Sequence, residues 1–382
     1  MRTLLTLSSL WLIAACAWAR EPSWPTASWT QSTPEAQGMD SAVLAKFDAE
    51  LSRGEQGYVD SMLVIRNGRI VYEKSYGRDY RALFATAPDQ KPGIYNYYDP
   101  DWHPYFKGTD LHTMQSVSKS VTSALIGIAI ERGEIPGVDV QAMPYFDGYK
   151  VVDDPRRNRW TLKHLLTMTS GIRWDEDTVS YTDPANSCAS MEASADWVQF
   201  VLDQPMAAEP GAVFVYNSGV AELLAQVLKK ATGKQADEYA REHLFEPLGI
   251  KNFYWKHTPT GHPDTEGGLY LAPRDLAKLG YLFEHDGIWN GQRLMHAGWA
   301  AESTTPRVPV EKGGPAIYGF QWWTLPAPGR PPEFVAWGYG GQYLMVVPSL
   351  DLIAVFTGWN IYDKPELNPD FALQRVLDAV KK

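Results

Sequence analysis

The apolar periodicity changes twice along this chain, and that change constrains the fold more than any other feature of the sequence. Residues 61–66 and 69–76 are apolar-rich runs around Asn67-Gly68, a dipeptide suited to a two-residue hairpin because both positions tolerate positive φ. From 116 onward the apolar residues recur at helical spacing, in segments 116–131, 162–168, 195–202, 218–231, 236–245 and 273–283. Strand patterns return at 318–324, 334–337, 342–347 and 352–357, and a helix closes the chain over 369–380. A helix over 43–51 precedes the hairpin, and the Tyr/Pro/Asp-rich stretch 77–110 reads as a long ordered insertion. Strands at both ends with helices between them predict an α/β fold of the α+β type. One antiparallel sheet is built from both termini and flanked by helices, with an inserted α-helical lobe and a site in the cleft. The α/β lobe is expected over about 35–115 and 300–382, and the helical lobe over about 116–299.

Net charge of -10 and the absence of a basic stripe argue against nucleic acid as a partner. Arg2, an apolar run over 4–15 and Ala17-Trp18-Ala19 have the order of an export signal over 1–19, which implies a periplasmic or secreted location. Ile13-Ala14-Ala15-Cys16 offers a second processing site, at which Cys16 would carry a lipid anchor. No stretch is long and apolar enough to predict a transmembrane span. With Cys16 in the leader, Cys188 stands alone in the polar stretch Asn186-Ser187-Cys188-Ala189-Ser190, read as a loop without a helix start to activate a thiol.

Ser116-Val117-Ser118-Lys119 is the sole S-x-x-K in the chain. On a helix beginning at Ser116, the lysine lies about 4.5 Å further along the axis and on the same face. A serine hydroxyl needs a base to become a nucleophile, and a lysine serves only when neutral. Burial and the positive end of the helix dipole both push a lysine that way. The alternative is a capped helix start with an exposed lysine. The small-residue apolar run 120–127 favours a buried helix and so a buried amine.

With Met114 to Lys119, the segments Leu165-Leu166-Thr167-Met168-Thr169-Ser170-Gly171-Ile172, Phe245-Glu246-Pro247-Leu248-Gly249-Ile250 and Gly267-Gly268-Leu269 complete a pattern. It resembles the serine β-lactamase and penicillin-binding superfamily, especially the class C-related esterases and aminohexanoate-dimer hydrolases. The resemblance implies that Ser116 is the nucleophile and that Tyr216, in Tyr216-Asn217-Ser218, relays protons with Lys119, with Ser218 in the same network. The third superfamily motif, K-T-G or H-x-G on a strand, corresponds to Ala336-Trp337-Gly338-Tyr339-Gly340-Gly341-Gln342, with neither Lys nor His. Lys312-Gly313-Gly314 and His285-Asp286-Gly287 match formally but do not lead into strands. The glycines allow a backbone to approach an oxyanion closely, so the N–H of Ser116 would pair with that of Tyr339 or, one register on, Gly341.

In β-lactamases and transpeptidases the missing lysine lies where the substrate carboxylate binds, so efficient β-lactam hydrolysis is disfavoured. The resemblance implies cleavage of a small ester or linear amide, with no cofactor. Trp174, Tyr181, Trp322, Trp323 and Trp337 are candidate pocket walls, and Tyr181 is similar to a loop tyrosine that contacts the amide in nylon-oligomer hydrolases. Two other readings use the same motifs: a D-alanyl carboxypeptidase, and a non-catalytic cell-wall or ligand sensor.

Overall fold

The computed structural model describes residues 24–85, 104–181, 183–310, 316–361 and 366–381. The expected leader with Cys16, most of the Tyr/Pro-rich insertion and the Lys312-Gly313-Gly314 triplet lie outside the described residues. Among the described residues, no helix is long and apolar enough to cross a membrane.

Helix α1 (Ser41–Ser52) is followed by strands β1 (Val59–Arg66) and β2 (Arg69–Ser75). They join through Asn67 and Gly68, both at positive φ as the hairpin signal requires. The chain then forms α2 (Val117–Glu131), α3 (Ser218–Thr232) and α4 (Pro273–Glu284). It returns as β3 (Phe334–Gly338), β4 (Gln342–Val347) and β5 (Leu352–Gly358), and ends on α5 (Pro369–Leu377). The sheet runs β2-β1-β5-β4-β3, each pair antiparallel, and two-residue strands extend it at both edges. At its centre N-terminal β1 pairs with C-terminal β5, Ile65 opposite Ile353 and Leu63 opposite Val355, so the termini build one sheet.

Alternation along the strands gives the sheet two apolar faces. Met62, Val64, Met345 and Phe356 point to one side, where Leu44, Phe47 and Leu51 of α1 and Leu373 and Val376 of α5 cover them. Leu63, Ile65, Leu344, Val346 and Val355 point to the other, into the core that includes Val121 and Leu125 of α2. Each such buried side chain contributes roughly 2 kcal/mol. Helix α2 lies between the sheet and α3, and every residue from Val117 to Ala129 is buried.

Three expectations need adjusting. The division at 299 puts α4 in the helical lobe, but α4 lies on the sheet; a Cβ on Gly280 would come within 2.9 Å of Leu344 and 3.0 Å of Val346. The strand expected over 318–324 is two short strands, Ile317–Tyr318 and Trp323–Thr324, that pair with each other. The chain turns between them at Gln321 (φ 63), and Gly319 passes so near Ser303 that a Cβ would meet its carbonyl oxygen at 2.2 Å. Finally, residues 236–245 form a short α-helix, Ala236–Ala240, continued by a π turn over Arg241–Phe245.

Close packing around α2 gives a test in which two effects oppose each other. Helix propensity favours Gly127→Ala by about 1 kcal/mol. A Cβ there would lie 2.5 Å from Cδ1 of the buried Trp299. Overpacking of that kind costs about 1–3 kcal/mol, so Gly127→Ala is expected to lower the urea midpoint of unfolding rather than raise it.

Candidate active site

The turn into α2 sets the site. Gln115 adopts φ 47, a left-handed conformation costing a non-glycine residue about 1 kcal/mol, and its amide donates to Thr113 Oγ1 at 3.0 Å. Ser116 follows at the N-cap, and its hydroxyl makes no capping bond. Instead Lys119 Nζ donates to Ser116 Oγ at 3.0 Å. The amine is 1% exposed, so both halves of the capped-helix alternative fail. Lys119 Nζ also donates to the Glu266 carbonyl at 2.7 Å and approaches Glu266 Oε2 at 3.4 Å.

The expected neutral lysine is corrected here. Burial does push Lys119 down, but the facing acidic groups outweigh it, the Glu266 and Glu176 carboxylates and Tyr216 where it is ionised, and hold the amine above the ordinary lysine range. Burial likewise opposes the charge on Glu266, yet Lys119 and a hydrogen bond with Glu192 leave that carboxyl below the usual carboxylate range. Lys119 at rest is therefore an ammonium in a buried ion pair.

Tyr216 precedes Asn217, whose side chain caps α3 by accepting from Val220 N at 3.1 Å. The upstream chain is pinned by Val215 N donating to the Met168 carbonyl at 2.9 Å. The phenol shares one cavity with Ser116, and its ring lies 5.2 Å from Lys119 Nζ. Burial raises the phenol, Lys119 and Ser116 lower it, and the balance is a pKa pushed up to about 12. Ser116, Lys119 and Tyr216, a hundred positions apart in sequence, thus meet at one point.

Ser218 points elsewhere. Its Oγ donates to Glu176 Oε1 and its N–H to Glu176 Oε2, both at 2.8 Å. Trp174 Nε1 and Tyr181 Oη donate to the same carboxylate, so Glu176 ties the loop bearing Tyr181 to the start of α3. Burial pushes Glu176 up to about 7, with Lys119 and the donors pulling against it.

The third motif is the end of β3 and the turn after it. A Cβ on Gly338 would sit 2.3 Å from the Met114 carbonyl, so only glycine lets this strand end lie against the turn that carries Ser116. Gly340 and Gly341 both have positive φ. Their N–H groups are engaged, Gly340 with Glu366 Oε2 at 3.0 Å and Gly341 with the Gly338 carbonyl at 3.3 Å. Tyr339 lines the cavity with Ser116, whose own N–H has no partner among the described residues.

That cavity has a volume of about 470 Å³. Tyr181, Trp323 and Trp337 wall it as expected, and Glu176, Asp177 and Glu366 join them. Trp322 and Trp174 do not: Trp322 packs in the core against Phe283 and Phe334, and Trp174 against Phe200. Cys188 is also corrected, because it lies in a short helix, Ser187–Glu192, capped by Asn186. Burial drives its thiol pKa up, which leaves it inert. Cys188, Glu192 and Glu266 cluster closely enough to hold an ion, but the Glu266 carboxylate is already committed to Lys119.

Sequence reasoning passed over Glu176, Glu266 and Glu366. Glu266 adjoins the Gly267-Gly268 motif, the one signal that pointed toward it.

A mixed sheet built from both termini, with a serine and a lysine on the first turn of a buried helix beneath it, defines the β-lactamase-like class of proteins. The beta-lactamase family profile matches residues 47–366, and the chain belongs to that family. The 6-aminohexanoate-dimer hydrolase of Paenarthrobacter ureafaciens is 26% identical over 326 residues, spanning 79% of this chain and 73% of that protein. Among solved structures, EstCE1, a hydrolase with promiscuous acyltransferase activity, superposes with a TM-score of 0.66 at 16% identity, covering 90% of this chain and 99% of its own. A D-stereospecific amidohydrolase from a Streptomyces species gives 0.61 at 16% identity, over 89% and 98%. These two share the fold.

Glu176 makes stability depend on pH. Its folded pKa of about 7 lies above the ordinary 4.5, so its contribution is fully present below pH 4.5 and is lost as pH rises through 7. The loss is on the order of 3 kcal/mol. Glu176→Gln cannot titrate, so its unfolding free energy relative to wild type is expected to improve by that order between pH 4.5 and 8 in urea titrations.

Proposed function

We propose that this protein is an exported serine hydrolase that cleaves short esters or small linear amides through an acyl-Ser116 intermediate. The observation that carries the reading is the 3.0 Å contact between Lys119 Nζ and Ser116 Oγ, made by a buried ammonium beside a phenol that lines the same cavity as the serine. Ser116 Oγ attacks the substrate carbonyl carbon and its proton passes to the oxygen of Tyr216 in its phenolate form, which the Lys119 ammonium stabilises. The carbonyl oxygen, now an oxyanion, takes the N–H of Ser116 and that of Tyr339 or, one register on, Gly341. Tyr216 then protonates the leaving alcohol or amine as the carbonyl re-forms. Water repeats the cycle with Ser116 as the leaving group, and Tyr216 again moves the proton.

The amide arm draws support from the similarity to a hydrolase named for the 6-aminohexanoate dimer. Export rests on the leader, whether cut after Ala19 or lipidated at Cys16. The carboxypeptidase reading is weaker, because the aligned strand offers Trp337 and glycines where a carboxylate would need a cation.

A chromogenic short-chain ester, with intact-protein mass recorded during turnover, tests the reading. The wild type is expected to show a burst and an acyl adduct, and Ser116→Ala neither. Lys119→Ala is expected to lower kcat/KM by at least about a thousandfold, since it removes the counter-charge of the relay. Equal behaviour of wild type and Ser116→Ala across esters and amides would leave the non-catalytic sensor as the better account.

A further inference from the structure

The cavity over Ser116 carries charge of one sign. Among the described residues, three carboxyl side chains line it, Glu176, Asp177 and Glu366, and no Lys, Arg or His side chain does. Lys119 meets Ser116 from below and is committed to Glu266. Glu176 is occupied by its own donors, and Asp177 lies at the exposed rim.

Glu366 differs from both. Its Oε1 accepts from Trp337 Nε1 at 3.1 Å and from Tyr343 Oη at 3.2 Å, and its Oε2 from Gly340 N at 3.0 Å. These neutral donors fix the carboxylate without cancelling its charge, and among the described residues no cation pairs with it. Burial accordingly raises its pKa above the ordinary value, as expected of a carboxyl lacking a counter-charge. Beside it stand two aromatic pairs, Trp323 with Trp337 and Tyr181 with Tyr339, each with ring centroids 5.5 Å apart. Aromatic faces attract cations, and a fixed carboxylate repels anions.

We infer that this cavity selects esters or amides carrying a positively charged ammonium group, seated between the Glu366 carboxylate and the aromatic walls formed by Trp337 and its neighbours. The inference rests on the hydrolase reading and deepens it by naming the substrate class. Glu366 acts here as a specificity determinant and takes no part in proton transfer.

Three nitrophenyl esters with a common leaving group separate charge from shape: 4-(trimethylammonio)butanoate, its carbon isostere 5,5-dimethylhexanoate, and the adipate half-ester. For the full-length protein, kcat/KM for the cation is expected to exceed that for the isostere by about tenfold or more, with the anion below both. In Glu366→Gln the ratio of cation to isostere should fall at least about fivefold, and in Glu366→Lys the order of cation and anion should reverse. A carboxylate that merely pins Trp337 and the Gly340 turn would move all three esters together and leave the ratio intact. If neither variant folds, raising ionic strength from about 0.05 to about 0.5 M in the wild type should compress the same ratio. An isostere hydrolysed as well as the cation, or a ratio that survives Glu366→Gln, overturns the inference while an acyl adduct on the isostere keeps the hydrolase reading. Absence of any adduct from all three esters fails the hydrolase reading itself.

Discussion

The buried ion pair between Lys119 and Glu266 is the interaction on which the site depends. An ammonium with 1% exposure is tolerable only beside a fixed counter-charge, and removing one partner from such a pair typically costs about 3–5 kcal/mol. Glu266 supplies both its carboxylate and its carbonyl oxygen, and this double grip leaves Nζ aimed at Ser116. Because the helix that carries Ser116 and Lys119 is buried on every side, the pair is held by the core itself. The sheet, α3 and the turn at Gln115 meet there.

The relay follows from that fixed charge. A lysine kept as an ammonium cannot accept the serine proton, so the basic role falls to the phenol, and the lysine makes a phenolate less costly. With a pKa near 12 the phenol is ionised in only about one molecule in a hundred thousand at pH 7, which is consistent with a site that waits for substrate before moving a proton. The other carboxyls divide the remaining tasks by what each one touches. Glu176 ties the Tyr181 loop to α3, and Glu366 braces Trp337 and the Gly340 turn against the cavity.

Much of this was legible in the sequence. Asn67-Gly68 specified its hairpin through φ alone, and the S-x-x-K spacing placed amine beside hydroxyl because helix geometry leaves no alternative. Tyr216 was legible through resemblance, Gly338 through the close backbone approach that only glycine permits, and Gly340 and Gly341 through the positive φ they accept readily. The protonation of Lys119 was not, because it is decided by Glu266 and Glu176, which are distant in sequence and carry no pattern of their own. The same limit explains Trp322 and Trp174: an aromatic residue looks alike in sequence whether it faces a cavity or the core. The break at Gln321 was hidden because the close passage of Gly319 by Ser303 is a tertiary contact.

The pH dependence of the acylation rate constant, measured in single turnover with a neutral ester, tests most directly whether Lys119 is a charge and Tyr216 the base. The account predicts a rate that keeps rising with pH beyond 10, because the phenol ionises only near 12, and a loss of that rise in Tyr216→Phe. A rate already level by about pH 8, with the same profile in Tyr216→Phe, would mean a neutral Lys119 acting as the base and would contradict the account.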